Sequence, residues 1–129
     1  MAKILVVDDD LDMCQIISDI LKEEGYSIDS SFSGEDALRK IKKDHYDLIV
    51  LDYRLGGISG LMVLEKALQM MPSLKIIMIS AFGSDSTKAK ARELGAVDFI
   101  DKPFDIKRFV RAVQDILTRD TNKEKLKEE

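Results

Sequence analysis

Three largely apolar runs in this chain and one short strand-like run that contains Asp98 lead straight into polar residues. Residues 4–7 (ILVV) end on Asp8, Asp9 and Asp10, and residues 48–51 (LIVL) end on Asp52. Residues 74–79, broken only by Lys75, end on Ser80, and residues 97–100 lead into Asp101, Lys102 and Pro103. Each alone has an ordinary reading, because Asp and Ser open turns by bonding to nearby backbone. Together they form a set: carboxylates, a hydroxyl and an ammonium group, each just beyond an apolar stretch. Clustered carboxylates repel one another and resist ionising together unless a cation lies among them. A hard divalent ion bound through oxygen is the natural occupant, and Mg2+ the best fit, since it takes one or two carboxylates and leaves room for waters and phosphate oxygens. Lys102 and the Ser80 hydroxyl would hold those phosphate oxygens too. Asp52 lies centrally, after the strand expected to be the most buried, and is the residue we assign as nucleophile. A carboxylate that attacks phosphorus gives an acyl phosphate and needs no general base, being already deprotonated. A chain whose single histidine is His45 can therefore do this chemistry.

The elements that must position these residues follow from periodicity. Leu48, Ile49, Val50 and Leu51 lack polar alternation, which predicts a strand covered on both faces, as in a parallel sheet. Met13, Ile16, Ile17, Ile20 and Leu21 have helical spacing, closed by Gly25. Residues 26–32 form a weaker, more polar strand that suits an outer position, and Ser33 then offers an N-cap to a helix through Ala37, Leu38 and Ile41. Gly56, Gly57 and Gly60 mark a flexible loop, after which Leu61, Leu64, Leu68 and Met71 form a stripe that Pro72 ends. Residues 84–94 offer only Thr87, Ala91 and Leu94 for burial, with Lys88, Lys90, Arg92 and Glu93 facing water, so a thinly packed, mobile helix is expected. Ile106, Phe109, Val110, Val113, Ile116 and Leu117 make the last helix, beyond which the pattern fades into a polar tail. Five strands alternating with five helices predict an α/β fold, a doubly wound parallel sheet with helices on both faces. Ligands collect at the carboxyl ends of strands in such sheets, where all the polar ends would converge.

Composition narrows the classes. With 129 residues, 45% hydrophobic and 34% charged, the chain suits one globular domain and leaves no room for a second. No segment approaches the roughly 18 to 20 apolar residues of a membrane span, and no signal-peptide pattern opens the chain, so a cytoplasmic location with no membrane partner is expected. Cys14 is the one cysteine, which fits a reducing compartment and a packing role. A net charge of -4 argues against direct nucleic-acid binding.

The acidic pair Asp8 and Asp9 after ILVV, Asp52 after LIVL, Ser80 opening SAFGS, and Lys102 with Pro103 in DFIDKPF occur in an order and spacing that resemble a response-regulator receiver domain of two-component signalling. The resemblance covers about residues 3–119, giving a receiver over 1–119 and a tail or linker start over 120–129. It implies a flavodoxin-like (βα)5 fold with strand order 2-1-3-4-5. It further implies that Asp52 accepts phosphate from a sensor histidine kinase or a histidine phosphotransfer protein. Asp9 and Asp52, helped by Asp8 and the backbone carbonyl of Arg54, would bind Mg2+, and Ser80 and Lys102 would grip the phosphoryl oxygens. Ser80 and Phe99 would form the switch: the hydroxyl moves inward, Phe99 rotates into the vacated space, and the surface of the fourth helix, fifth strand and fifth helix is reshaped for an output partner, an effector domain or a homodimer. Such a domain catalyses only its own phosphorylation and dephosphorylation. The resemblance also makes the Lys102–Pro103 peptide a cis candidate and gives Arg54 and Phe82 control over water attack on the acyl phosphate. Gly56 stands where the family usually has proline, which should loosen the loop after Asp52 and weaken its grip on the metal.

Two other readings compete. A haloacid-dehalogenase-type Mg2+ phosphohydrolase would use Asp8 and Asp10 as its paired aspartates, although Asp12 and the short chain fit that family poorly. A degenerate, phosphorylation-independent receiver would bind neither metal nor phosphate. With no effector segment in the sequence, a free-standing receiver and a piece of a larger regulator are both expected.

Overall fold

The computed structural model describes residues 2–81, 83–102 and 104–128, with side chains through residue 118. Phe82 and Pro103, and with them the Phe82 and cis-peptide expectations, lie outside the described residues. Strands and helices alternate: β1 (Lys3–Val7), α1 (Leu11–Glu23), β2 (Ser27–Ser31), α2 (Gly34–Lys43), β3 (Leu48–Asp52), α3 (Gly60–Met70), β4 (Ile76–Ser80), α4 (Asp85–Leu94), β5 (Asp98–Asp101) and α5 (Ile106–Glu128). The strands form one parallel sheet in the order β2-β1-β3-β4-β5, the flavodoxin-like order expected.

Strand alternation sorts the core into two layers. Leu5, Val7, Ile49, Leu51, Ile76, Met78 and Phe99 point toward α2, α3 and α4, meeting Ala37, Ile41, Val63, Leu64, Ala67 and Ala91. Ile4, Val6, Leu48, Val50, Ile77, Ile79 and Ile100 point toward α1 and α5, meeting Cys14, Ile17, Leu21, Phe109, Val113 and Ile116. Both central strands, β3 and β4, are buried along their whole length. Each fully buried Leu, Ile or Val there contributes about 1.5–3 kcal/mol, which is why these runs carry no polar residue until they end. Polar β2 takes the sheet edge, as its mixed composition predicts.

Helix starts follow the capping residues. Asp10 caps α1 by accepting the N–H groups of Asp12 and Met13, Ser33 caps α2, Ser59 caps α3 and Ser84 caps α4. Among the residues of α4, only Ala91 is fully buried. Helix α5 runs past the point where the apolar pattern fades, so the 119/120 boundary falls inside it. Met71 packs against the α3-side core, whereas Met70 is exposed. No helix among the described residues is long and apolar enough to cross a membrane.

Helix α3 begins in direct contact with the strand that carries Asp52. The Gly60 N–H donates to the Tyr53 carbonyl at 3.0 Å. A Cβ on Gly60 would lie 2.6 Å from the Asp52 carbonyl oxygen and 2.7 Å from Tyr53 Cα and carbonyl oxygen, all backbone atoms with no room to yield. Gly60→Ala is therefore expected to destabilise the fold by about 1–3 kcal/mol, read as a lower urea midpoint. Wild-type stability in that variant would mean that α3 can slide on β3.

Candidate functional site

Parallel register brings the four strand ends to one edge of the sheet. Val7 lies opposite Leu51, so Asp8 and Asp52 are each one residue further along adjacent strands. Asp52 lies opposite Ile79, which sets Ser80 one step beyond on β4. Ser80 pairs with Asp101, and the Lys102 N–H donates to the Ser80 carbonyl at 2.7 Å, tying the lysine to the serine's strand. Asp8 is 1% exposed, Asp52 8% and Ser80 1%, while Asp9 is open to solvent.

Carboxylate oxygens of Asp8, Asp9 and Asp52 all lie within 4.8 Å of one another. Lys102 Nζ stands between the two buried ones, 3.3 Å from Asp8 Oδ2 and 3.6 Å from Asp52 Oδ2. Asp8 Oδ1 also accepts the Asp10 N–H at 2.9 Å, and Asp52 Oδ1 accepts the Arg54 N–H at 3.3 Å. Burial first, then the charge of Asp8, pushes the Asp52 carboxyl up to about 6, and a hydrogen bond with Asp8 adds to this. Lys102 and the Arg54 N–H pull the other way. One lysine thus faces a cluster of three acids. That donor set fits a hard divalent cation, with Asp8, Asp9 and Asp52 as its oxygen sources.

Asp10 stands apart, because its carboxylate is committed to capping α1. The Asp8–Asp10 pair that a haloacid-dehalogenase site requires is therefore not what the fold assembles. Arg54 is exposed in the loop after β3. Phe99 is 5% exposed in the α4-side core, so its ring already lies inward. Its edge abuts Gly83, where a Cβ would come within 2.7 Å of Cε1, and Lys88 Nζ lies 5.9 Å from its centroid.

Lys88 corrects a sequence expectation. Rather than facing water with its neighbours on α4, it is about three-quarters buried and pairs with Asp101 Oδ2 at 2.6 Å, joining α4 to the end of β5. Two further contacts escaped the sequence reading: Asp9 Oδ2 accepts the Gly56 N–H at 3.2 Å, and Glu35 Oε1 accepts the Ile58 N–H at 3.3 Å. These partners are 47 and 23 residues apart, with no local pattern to announce them.

A family model described as "Response regulator receiver domain" matches residues 4–114. The transcriptional regulatory protein ZraR of Salmonella typhimurium is 34% identical over 94% of this chain, which spans 28% of ZraR. Response regulator ArlR of Staphylococcus aureus is 36% identical over 96% of this chain, which spans 56% of ArlR. The chain is thus between about a quarter and somewhat over half the length of these curated relatives. The crystal structure of a CheY-like response regulator receiver domain protein from Methanospirillum hungatei superposes with a TM-score of 0.91 at 27% identity, covering 95% of this chain and 98% of that one.

The raised Asp52 pKa has a sign that can be tested. A carboxyl that binds its proton more tightly in the folded state loses stability as pH rises from about 4 through about 6, and the loss is constant above that. The difference between 3.8 and about 6 corresponds to about 3 kcal/mol at most. In Asp52→Asn the cost disappears while Lys102 keeps Asp8 as a partner. Without divalent cations, Asp52→Asn should exceed wild type in urea stability by about 1–3 kcal/mol near neutral pH, and the gap should close toward about pH 4. A gap that stays the same at both pH values would show that Asp52 ionises at no cost.

Proposed function

The chain belongs to the response regulator receiver family of two-component systems, and we propose that it works there as a phosphoacceptor with Asp52 as the residue phosphorylated. The observation that supports this best is Lys102 Nζ set between the buried carboxylates of Asp8 and Asp52, with Asp9 beside them. A sensor histidine kinase or a histidine phosphotransfer protein presents a phosphohistidine. An Asp52 carboxylate oxygen bonds to phosphorus while the phosphorus–nitrogen bond breaks, leaving an acyl phosphate on Asp52 and the imidazole on the donor.

Asp8, Asp9, Asp52 and the Arg54 carbonyl would hold Mg2+, which when bound supplies positive charge to offset the phosphoryl oxygens. Lys102 contributes an ammonium group from the opposite strand end, and Ser80 a hydroxyl donor. Asp8, nearly fully buried, orients Lys102 and raises the local demand for a cation. Ser80 and Phe99 then transmit the change: a hydroxyl drawn to the phosphoryl group alters the packing of Phe99 against Gly83 and Lys88, and so the α4–β5–α5 surface read by an output partner or a second copy. In this reading residues 1–119 act as the receiver, residues 120–129 begin a connection, and the domain works in the cytoplasm, catalysing only its own phosphorylation and dephosphorylation.

Intact-mass analysis after incubation with Mg2+ and acetyl phosphate tests the assignment. Wild type should gain one phosphoryl group in a Mg2+-dependent way, Asp52→Asn none, and Lys102→Ala should gain it about 10²-fold more slowly. An adduct that persists in Asp52→Asn would put the phosphoacceptor elsewhere. A folded wild type that takes no phosphoryl group would point to a receiver that signals by binding alone.

A further inference from the structure

We propose that Glu35, in the first turn of α2, is a positioning residue for the metal site. By accepting the Ile58 N–H it fixes the loop that presents the Arg54 carbonyl to a divalent cation. This rests on the reading of Asp8, Asp9, Asp52 and Arg54 as the ion's ligands.

The loop between β3 and α3 needs an external anchor. It contains Gly56 and Gly57 in succession, with Gly57 at φ +84°, and no proline to stiffen it. Its alternate amides are held by three carboxylates from three parts of the chain. Asp52 takes the N–H of Arg54, Asp9 that of Gly56 and Glu35 that of Ile58, at 3.3, 3.2 and 3.3 Å. The first two acceptors belong to the acid cluster, so a bound cation competes for their charge. Glu35 is not in that cluster, and its bond is independent of the ion.

Glu35 is itself firmly placed. Ser33 caps α2 by accepting the Asp36 N–H at 3.1 Å. Next in the chain, Gly34 is buried so closely that a Cβ would lie 2.7 Å from Ile58 Cγ1 and 2.6 Å from Val63 Cγ2. The start of α2 thus presses on the Ile58 side chain while Glu35 holds the Ile58 backbone. A Cβ on Gly57 would fall 2.8 Å from that same Glu35 oxygen, Oε1, and 3.4 Å from Oε2, so the carboxylate lies against the loop. Without this anchor, part of the ion's binding free energy goes into ordering the loop, and the apparent dissociation constant rises by the reciprocal of the fraction of loop conformers that are competent.

The test measures Mg2+ binding by isothermal titration calorimetry and amide hydrogen exchange at Gly56, Gly57 and Ile58 without metal, on the full chain as wild type, Glu35→Ala and Glu35→Gln. Glu35→Ala should raise the Mg2+ dissociation constant roughly three- to tenfold and speed exchange at Ile58, with the urea midpoint unchanged. Glu35→Gln keeps an acceptor oxygen and should restore most of both. Wild-type affinity and exchange in Glu35→Ala would overturn the role. So would Glu35→Gln binding as weakly as Glu35→Ala, because the carboxylate would then be acting through its charge alone. Wild type that binds no Mg2+ would overturn the metal-site reading and this role with it, a result distinct from normal binding that Glu35→Ala leaves intact.

Discussion

Asp8 and Asp52 sit side by side with almost none of their surface in water, on adjacent strands whose register leaves them nowhere else to go. Two such carboxylates cannot both ionise cheaply, and the rest of the carboxyl edge is arranged around that difficulty. Lys102 bridges them from β5, the Arg54 and Asp10 N–H groups each take one oxygen, and Asp52 still holds its proton more tightly than an exposed carboxyl does. The fold supplies the structural cost, since both acids end strands that the two core layers bury completely. The site, with one lysine facing three acids, is left short of positive charge.

This tension was visible in the sequence because it is written at strand ends. The two four-residue apolar runs that stop on Asp8 and Asp52 say both where the sheet's edge lies and what stands there, and the strand ends at Ser80 and Lys102 complete the set once the strands are parallel. The α2 cap was equally legible: Ser33 sits where a side-chain oxygen can reach back to a free N–H group. Asp10 was less clear, since composition groups it with Asp8 and Asp9 and only the backbone geometry assigns it to α1.

Contacts between segments distant in the chain were not legible. Lys88 lies among water-facing lysines and arginines, and nothing in its neighbourhood foretells Asp101 as a partner. The Gly56–Gly57 pair reads as a loose loop because its restraints, Asp9 and Glu35, come from other elements. In both cases a periodicity argument describes one element at a time, whereas the restraint belongs to a pair. The length of α5 escaped for a different reason: its apolar pattern ends at Leu117, whereas the helix runs on to Glu128.

The sheet also differs in stiffness from one side of β3 to the other. Helix α3 is bolted to β3 through backbone contacts at Gly60, which admit no adjustment, whereas α4 is held by buried Ala91, partly buried Leu94 and an ion pair at its side. A displacement at Asp52 would therefore meet less resistance toward α4 than toward α3. The same asymmetry bears on how such a chain diversifies. Substitutions on the outer surface of α4 meet few buried neighbours, so that face can vary while the acid cluster and its scaffold stay fixed.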